Sequence, residues 1–280
     1  MTGVTPDARA LLYDCPVPES DALANFDITR PHIARIYDYW LGGKDNFEAD
    51  REAAELALAA TPTIVPGVRA NRRFLGRAVA AMAAEGVRQF LDIGTGIPAS
   101  NNTHEVAQKI APESRVVYVD NDPIVLTHAR ALLTSGTGQT AYIDADARDV
   151  TAIVDEAGRT LDFSKPVGIM LIAILHCVPD EDNPAKLVSD LMAAVPAGSY
   201  LAISHPARDQ LAVATKAEES LTKSMGQKVT FRSRDEVAGF FAGLELLPPG
   251  VVPVQSWRPT LELDINSAPT AMWGGVGYKG

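Results

Sequence analysis

Phe90-Leu91-Asp92-Ile93-Gly94-Thr95-Gly96-Ile97-Pro98 decides how this chain is read. An apolar run ends in an acid, and two glycines spaced by one residue follow it. Downstream, Val116-Val117-Tyr118-Val119 forms a second apolar run that ends in Asp120-Asn121-Asp122-Pro123. This is the arithmetic of a β-α-β nucleotide-binding unit, in which glycines let a ligand approach the backbone at the first turn. An acid at the tip of the second strand takes ribose hydroxyls, and a hydrogen bond to a charged carboxylate contributes roughly 1.5–3 kcal/mol.

Outward from this unit the chain alternates. Strands are expected at Arg88–Ile93, Arg115–Asp120, Thr140–Ile143, Val167–Leu175 and Ser199–Ser204, with helices at Asn102–Ala111, Ile124–Thr134, Thr151–Gly158 and Pro184–Val195. Strand and helix in turn at short spacing imply a parallel sheet with helices on both faces. The Val167–Leu175 run is apolar almost throughout, as befits a strand buried on both sides. A helix near Arg234–Ala242 and extended pieces at Leu244–Leu247, Val251–Val254 and Gly275–Tyr278 suggest an antiparallel sheet edge. Upstream, helical spacing marks a helix after Arg30-Pro31-His32, then Glu48–Ala60 and Val68–Glu85, with Gly42-Gly43, Thr61-Pro62 and Gly86 as stops. The expected organisation is a flexible N-terminal arm over 1–27, a helical lid or substrate segment over 28–86, and the nucleotide-binding domain with its antiparallel C-terminal strands over 87–280.

Bulk properties narrow the function. At 280 residues and 46% hydrophobic, the chain buries a sizeable core. A net charge of -10 argues against sequence-independent nucleic-acid binding, which relies on Lys and Arg. Cys15 and Cys177 lie far apart without metal-like spacing, which suggests a reducing compartment. The N-terminus has no signal-peptide h-region and Val167–Leu175 is too short to span a bilayer, so a cytoplasmic protein without membrane contact is expected.

Ligands of a doubly wound sheet sit beyond the carboxyl ends of its strands. Those ends carry Asp92, Gly94 and Gly96; Asp120 and Asn121; Asp144, Asp146 and Arg148; His176 and Cys177; Ser204 and His205. Any one acid here could be an ordinary turn residue. Together they form an acid rim that a pyrophosphate would dislike and a cationic ligand would favour. S-adenosylmethionine has a sulfonium, an ammonium, a ribose for Asp120 and an adenine for Asp146.

At these residues the sequence resembles class I S-adenosylmethionine-dependent methyltransferases: Asp92-Ile93-Gly94-Thr95-Gly96, Asp120-Asn121-Asp122-Pro123 and Asp144-Ala145-Asp146-Ala147 carry the likeness. Arg35-Ile36-Tyr37-Asp38-Tyr39-Trp40-Leu41-Gly42-Gly43-Lys44-Asp45-Asn46, Asn71-Arg72-Arg73-Phe74-Leu75, His104-Glu105-Val106-Ala107 and Leu175-His176 make it more specific. The chain is similar, over about residues 27–280, to a bacterial S-adenosyl methyltransferase family once known as a domain of unknown function. The resemblance implies an α/β, Rossmann-like class I fold: a doubly wound, mainly parallel seven-stranded sheet with an N-terminal helical segment. It implies that Asp92, Gly94 and Gly96 flank the methionine portion, that Asp120 takes the ribose, and that Asn121, Asp146 and Ala147 meet the adenine. Ala99 follows Pro98 where the family has Thr.

Tyr37, Tyr39 and Trp40 read either as a lid over the cofactor or as core contacts, and Lys44 is available to the cofactor carboxylate. A hydroxyl or amine acceptor needs a base, for which His176 stands first and His205 second. Cys177 reads as packing, and the histidines lack metal-ligand spacing, so no metal is expected. Three functions remain open: methyl transfer to a small molecule, holding S-adenosylmethionine or its product without catalysis, and nicotinamide-dependent oxidoreduction. The absence of a Tyr-x-x-x-Lys pair weighs against the last.

Overall fold

The protein is described by a computed structural model over residues 27–125, 127, 139–210, 214–225, 228–260 and 270–280. The expected N-terminal arm, Asp27 apart, and most of the Ile124–Thr134 helix lie outside the described residues.

Five strands alternate with helices: β1 Gln89–Ile93, α4 Thr103–Ile110, β2 Arg115–Asp120, β3 Thr140–Asp144, α5 Val150–Ala157, β4 Gly168–Ile172, α6 Pro184–Ala193 and β5 Tyr200–Pro206. All five are parallel, in the order β3-β2-β1-β4-β5. The order reverses at β1, so the crevice that takes ligands in such sheets opens beyond the carboxyl ends of β1 and β4. β8 (Met272–Tyr278) runs antiparallel to β5, with Tyr200 opposite Tyr278. Its other edge is shared by two short strands, β6 (Glu245–Leu246) and β7 (Val252–Pro253). Pro248-Pro249-Gly250 interrupts what would otherwise be one outer strand, because proline cannot donate to a ladder. The sheet therefore has eight strands rather than the expected seven.

Both faces of the sheet are buried, and the period of two sorts its side chains. Leu91, Ile93, Ile169 and Leu171 meet Ile153 of α5 and Leu187 and Leu191 of α6 on one face. Phe90, Val116, Tyr118 and Met170 meet Phe74, Val79 and Met82 on the other. These last three belong to α3 (Ile64–Ala84), which starts earlier than its Val68 expectation because Pro66 falls in the first turn, where a missing N–H costs nothing. β4 is shorter than expected. It stops at Ile172, since Ala173 turns to φ 53° and a 3-10 turn at Leu175–Cys177 follows.

The third cluster joins α1 (Ile33–Leu41), α2 (Glu48–Ala60), the start of α3 and α7 (Ala214–Met225) through Ile36, Trp40, Ala54, Val68, Leu221 and Met225. The sequence reading does not name α7, whose buried apolar anchors, among the described side chains, are Leu221 and Met225, one helical turn apart. A last helix, α8 (Arg234–Gly239), is closed at its start by Ser233 and Glu236. Among the described residues no helix is long and apolar enough to cross a membrane.

Close packing of α3 on the sheet depends on Gly168, where a Cβ would stand 2.8 Å from Phe90 Cδ1 and 3.2 Å from Met82 Sδ. Gly168→Ala is expected to lower stability by about 1–3 kcal/mol through overpacking. Urea unfolding checks this as a lower midpoint at unchanged slope.

Candidate functional site

The site starts from two backbone constraints. Gly94 holds φ +72°, its N–H donates to Val119 O at 2.8 Å, and a Cβ there would fall 2.4 Å from Ile174 Cγ1. Only glycine fits. Gly96, at φ +67°, points its N–H at Asp120 Oδ2, 2.8 Å away. The other oxygen, Asp120 Oδ1, accepts the N–H of Asp122 at 3.0 Å. The tip of β2 is thereby tied to the turn after β1, and together they floor a cleft.

Asp92, at the carboxyl end of β1, is 4% exposed and accepts the Thr103 hydroxyl at 2.6 Å. Burial pushes its carboxyl up to about 6, the Thr103 hydrogen bond and the charge of Arg72 oppose this, and the charge of Asp120 adds to it. Burial also raises Asp120, against the two backbone donors that favour its charged form. Two crowded, desolvated carboxylates at one cleft form a site that a cationic ligand relieves. On the opposite wall Asn71 Oδ1 is buried without a hydrogen-bond partner, while its Nδ2 donates to Tyr37 at 3.0 Å. Arg72 also lines the cleft and braces the loop after β1 through Ser100 O, Asn101 O and Asn102 Oδ1. S-adenosylmethionine matches this donor and acceptor set: the carboxylates and Asn71 Oδ1 suit its sulfonium and ammonium, and Asp120 suits a diol.

The roof is α1. His32 Nδ1 lies 2.8 Å from Asp122 Oδ2 and 3.3 Å from Ala34 N. The shorter, charge-assisted contact decides that Nδ1 carries the proton and donates to Asp122. Burial acts to raise Asp122, but the His32 hydrogen bond and the charges of His32 and Arg35 hold it below the usual carboxylate range. Ile33, Ala34 and Tyr37 hang from this helix over the cleft.

Of the residues singled out by sequence, Asp92, Gly94, Gly96, Asp120, Asn121, Ala147 and Tyr37 line this one cleft. Asp146 does not, because Arg148 clasps it, with Nε 2.8 Å from Asp146 Oδ1, and reaches Asp182 as well. Lys44 does not either. It is exposed on a loop that Asp38 fixes through Asp45 N and the Asn46 amide. His205 is fully buried away from both cavities described here. Its Nδ1 donates to Pro206 O at 2.9 Å, its Nε2 accepts from Arg232 at 2.9 Å, and burial takes its pKa down to about 3, so no proton site is left to serve as a base. Cys177 lines the cleft, but burial, with the charge of Asp120, pushes its thiol up to about 12 and keeps it protonated. Sequence reasoning gave no role to His32, Asn71 or Arg72. The motif Asn71-Arg72-Arg73-Phe74-Leu75 was the available signal.

His176 lines a second space, walled by Ile33, Tyr37, Trp40, Ile64, Phe231 and Met272 among others. Ile33, Tyr37 and Ala173 line both spaces.

The unfolded Asp92 carboxyl titrates near 4 and the folded one near 6, so between these values the folded state holds a proton that the unfolded state lacks. Its contribution is full below about pH 4 and is lost as pH rises through 6, a loss of about 2–3 kcal/mol. Asp92→Asn is therefore expected to unfold at higher urea than the parent at pH 7.5. Melts repeated down to pH 4 should show the gap closing.

The sequence pattern of the S-adenosyl methyltransferase family matches residues 19–280. A DUF574 family protein of Streptomyces avermitilis is 44% identical, over 91% of this chain and 100% of that one, with a TM-score of 0.87. A candidate methyltransferase of Thermobifida fusca is 38% identical, over 94% and 98%, with a TM-score of 0.86. No curated protein matches. A family pattern that runs over nearly the whole chain, on a sheet whose switch point opens into this cleft, leaves one assignment: the chain belongs to the S-adenosyl methyltransferase family and is an S-adenosylmethionine-dependent methyltransferase.

Proposed function

We propose that this methyltransferase acts on a small-molecule acceptor, with its cofactor in the cleft beyond β1 and β2 and the acceptor in the cavity beside it. The observation that carries the reading is the shared wall of Ile33, Tyr37 and Ala173. Two spaces that share lining residues adjoin, which suits an in-line displacement between their occupants, and in such a reaction positioning and exclusion of water are most of what a protein supplies. The net charge of -10 also favours this over a nucleic acid.

The chain's residues divide the work. Asp120 takes the ribose hydroxyls, since each of its oxygens accepts one backbone N–H and keeps a lone pair free. Asp92, Gly94 and Gly96 flank the methionine portion, with Asn71 Oδ1 as an added acceptor for its ammonium. Asn121 and Ala147 border the adenine, and Asp146 acts through Arg148 to fix the loop that carries Ala147. Tyr37 closes the roof, within a helical segment (28–86) that serves as lid and substrate wall for the sheet-bearing part (87–280). The cofactor supplies a methyl group as electrophile.

Calorimetry tests the cofactor site. S-adenosylmethionine should bind the parent protein, NAD should not, and Asp120→Ala should weaken the first by about tenfold or more, as expected when a charged hydrogen-bond pair is lost. Binding unaffected by Asp120→Ala, or tighter binding of NAD, would overturn the assignment of the cleft.

A further inference from the structure

The second cavity has a chemistry of its own. Among the described residues none of its lining side chains is an acid, a lysine or an arginine. Its walls are aliphatic and aromatic, supplied by α1, α3, α7 and Phe231. Two lining residues carry buried polar atoms without hydrogen-bond partners: His176 Nδ1, on a residue 5% exposed, and Thr61 Oγ1, on a residue 4% exposed. Buried polar atoms of this kind are seldom left unpaired without a reason.

His176 is neutral in this setting, because burial, helped by the charge of Arg232, takes its pKa down to about 4. A neutral imidazole offers one accepting nitrogen. It cannot pair with a carboxylate or phosphate as a cation would, and an ammonium would find no anion in the cavity. A methyl acceptor must nonetheless bring a lone pair and release a proton.

We propose that this cavity binds the methyl acceptor as a neutral, largely apolar hydroxyl compound of the phenol type, whose hydroxyl donates to the accepting ring nitrogen of His176 while Thr61 Oγ1 reads a second oxygen. The assignment rests on the methyl-transfer reading above. In the balanced step an oxygen lone pair of the acceptor forms the new O–CH3 bond, the S–CH3 electron pair stays with sulfur to give a thioether, and the hydroxyl proton passes to the accepting ring nitrogen of His176. A base this weak does not ionise a resting phenol. It suffices for a hydroxyl whose acidity rises steeply as its oxygen is alkylated.

Gly67 allows a test that spares the cofactor cleft. It lines the second cavity only, and a Cβ there meets nothing nearer than Thr270 Cβ at 3.9 Å. Calorimetry is run on the full chain saturated with S-adenosylhomocysteine, with 2-naphthol, 2-methoxynaphthalene and 2-naphthoate as probes. The parent protein should bind 2-naphthol about fivefold or more tighter than its methyl ether, the worth of one hydrogen bond, and tighter than the carboxylate. Gly67→Leu should weaken both neutral probes by about tenfold, as expected for a filled cavity, with S-adenosylhomocysteine binding intact. His176→Phe should erase the difference between naphthol and ether, again with S-adenosylhomocysteine binding intact. Naphthol that does not bind, naphthoate that binds better, or naphthol affinity indifferent to Gly67→Leu overturns the inference and leaves the methyltransferase reading standing. A parent protein that fails to bind S-adenosylhomocysteine overturns both.

Discussion

Arg35 lies buried between two buried carboxylates, with its Nε 3.5 Å from Asp50 Oδ1 and 3.5 Å from Asp122 Oδ2. Everything that makes a site of the crevice hangs on this cluster. Asp50 also accepts the backbone N–H of His32 and of Phe47, each at 2.8 Å, so it holds the entrances of α1 and α2 together. Asp122, at the tip of β2, takes His32 from the same helix start. Helices α1 and α2 and the carboxyl edge of the sheet thus meet at one knot. Removing one partner of a buried pair commonly costs about 3–5 kcal/mol, because the other is left buried and charged. The knot is placed where it sets the height of α1 above the sheet, and α1 walls both cavities.

The crevice itself trades stability for ligand affinity. Asp92 and Asp120 are buried with partial compensation, and both are pushed toward the protonated state. An apolar substitute of the same shape would spare the fold this cost. The carboxylates persist where a cationic cofactor centre can complete them. The same logic runs in reverse in the second cavity, where no described lining residue is an acid, a lysine or an arginine and two buried polar atoms, Thr61 Oγ1 and His176 Nδ1, have no hydrogen-bond partner.

How much of this can be read from sequence follows the range of the interaction involved. Gly94, Gly96 and Asp120 are legible because their roles are set by backbone geometry within one β-α-β unit, where strand ends and turn glycines are dictated locally. The five parallel strands are legible for the same reason, from apolar runs of strand length. Lys44, Asp146 and His205 carry the right chemistry at plausible strand or loop ends, yet each position is decided by a neighbour from elsewhere: Asp38 fixes the loop of the first, Arg148 and Asp182 the second, Arg232 the third. Arg72, Asn71 and His32 enter the cleft from helices packed across it, which no local pattern encodes. The count of seven strands comes from the resemblance alone; the residues themselves offer extended pieces at Leu244–Leu247 and Val251–Val254, where β6 and β7 stand as two separate short strands.

Tyr37 lines both spaces, with its hydroxyl donating to Val68 O at 3.2 Å and accepting from Asn71. It is pinned at its far end to α3. Whatever one occupant does to the position of that ring, the other must meet on arrival. If filling the first space favours one setting of the ring by some factor, filling the second feels that factor in equal measure, since linkage between two equilibria has no preferred direction. A side chain that borders both spaces therefore couples them to the extent that an occupant of either one shifts it.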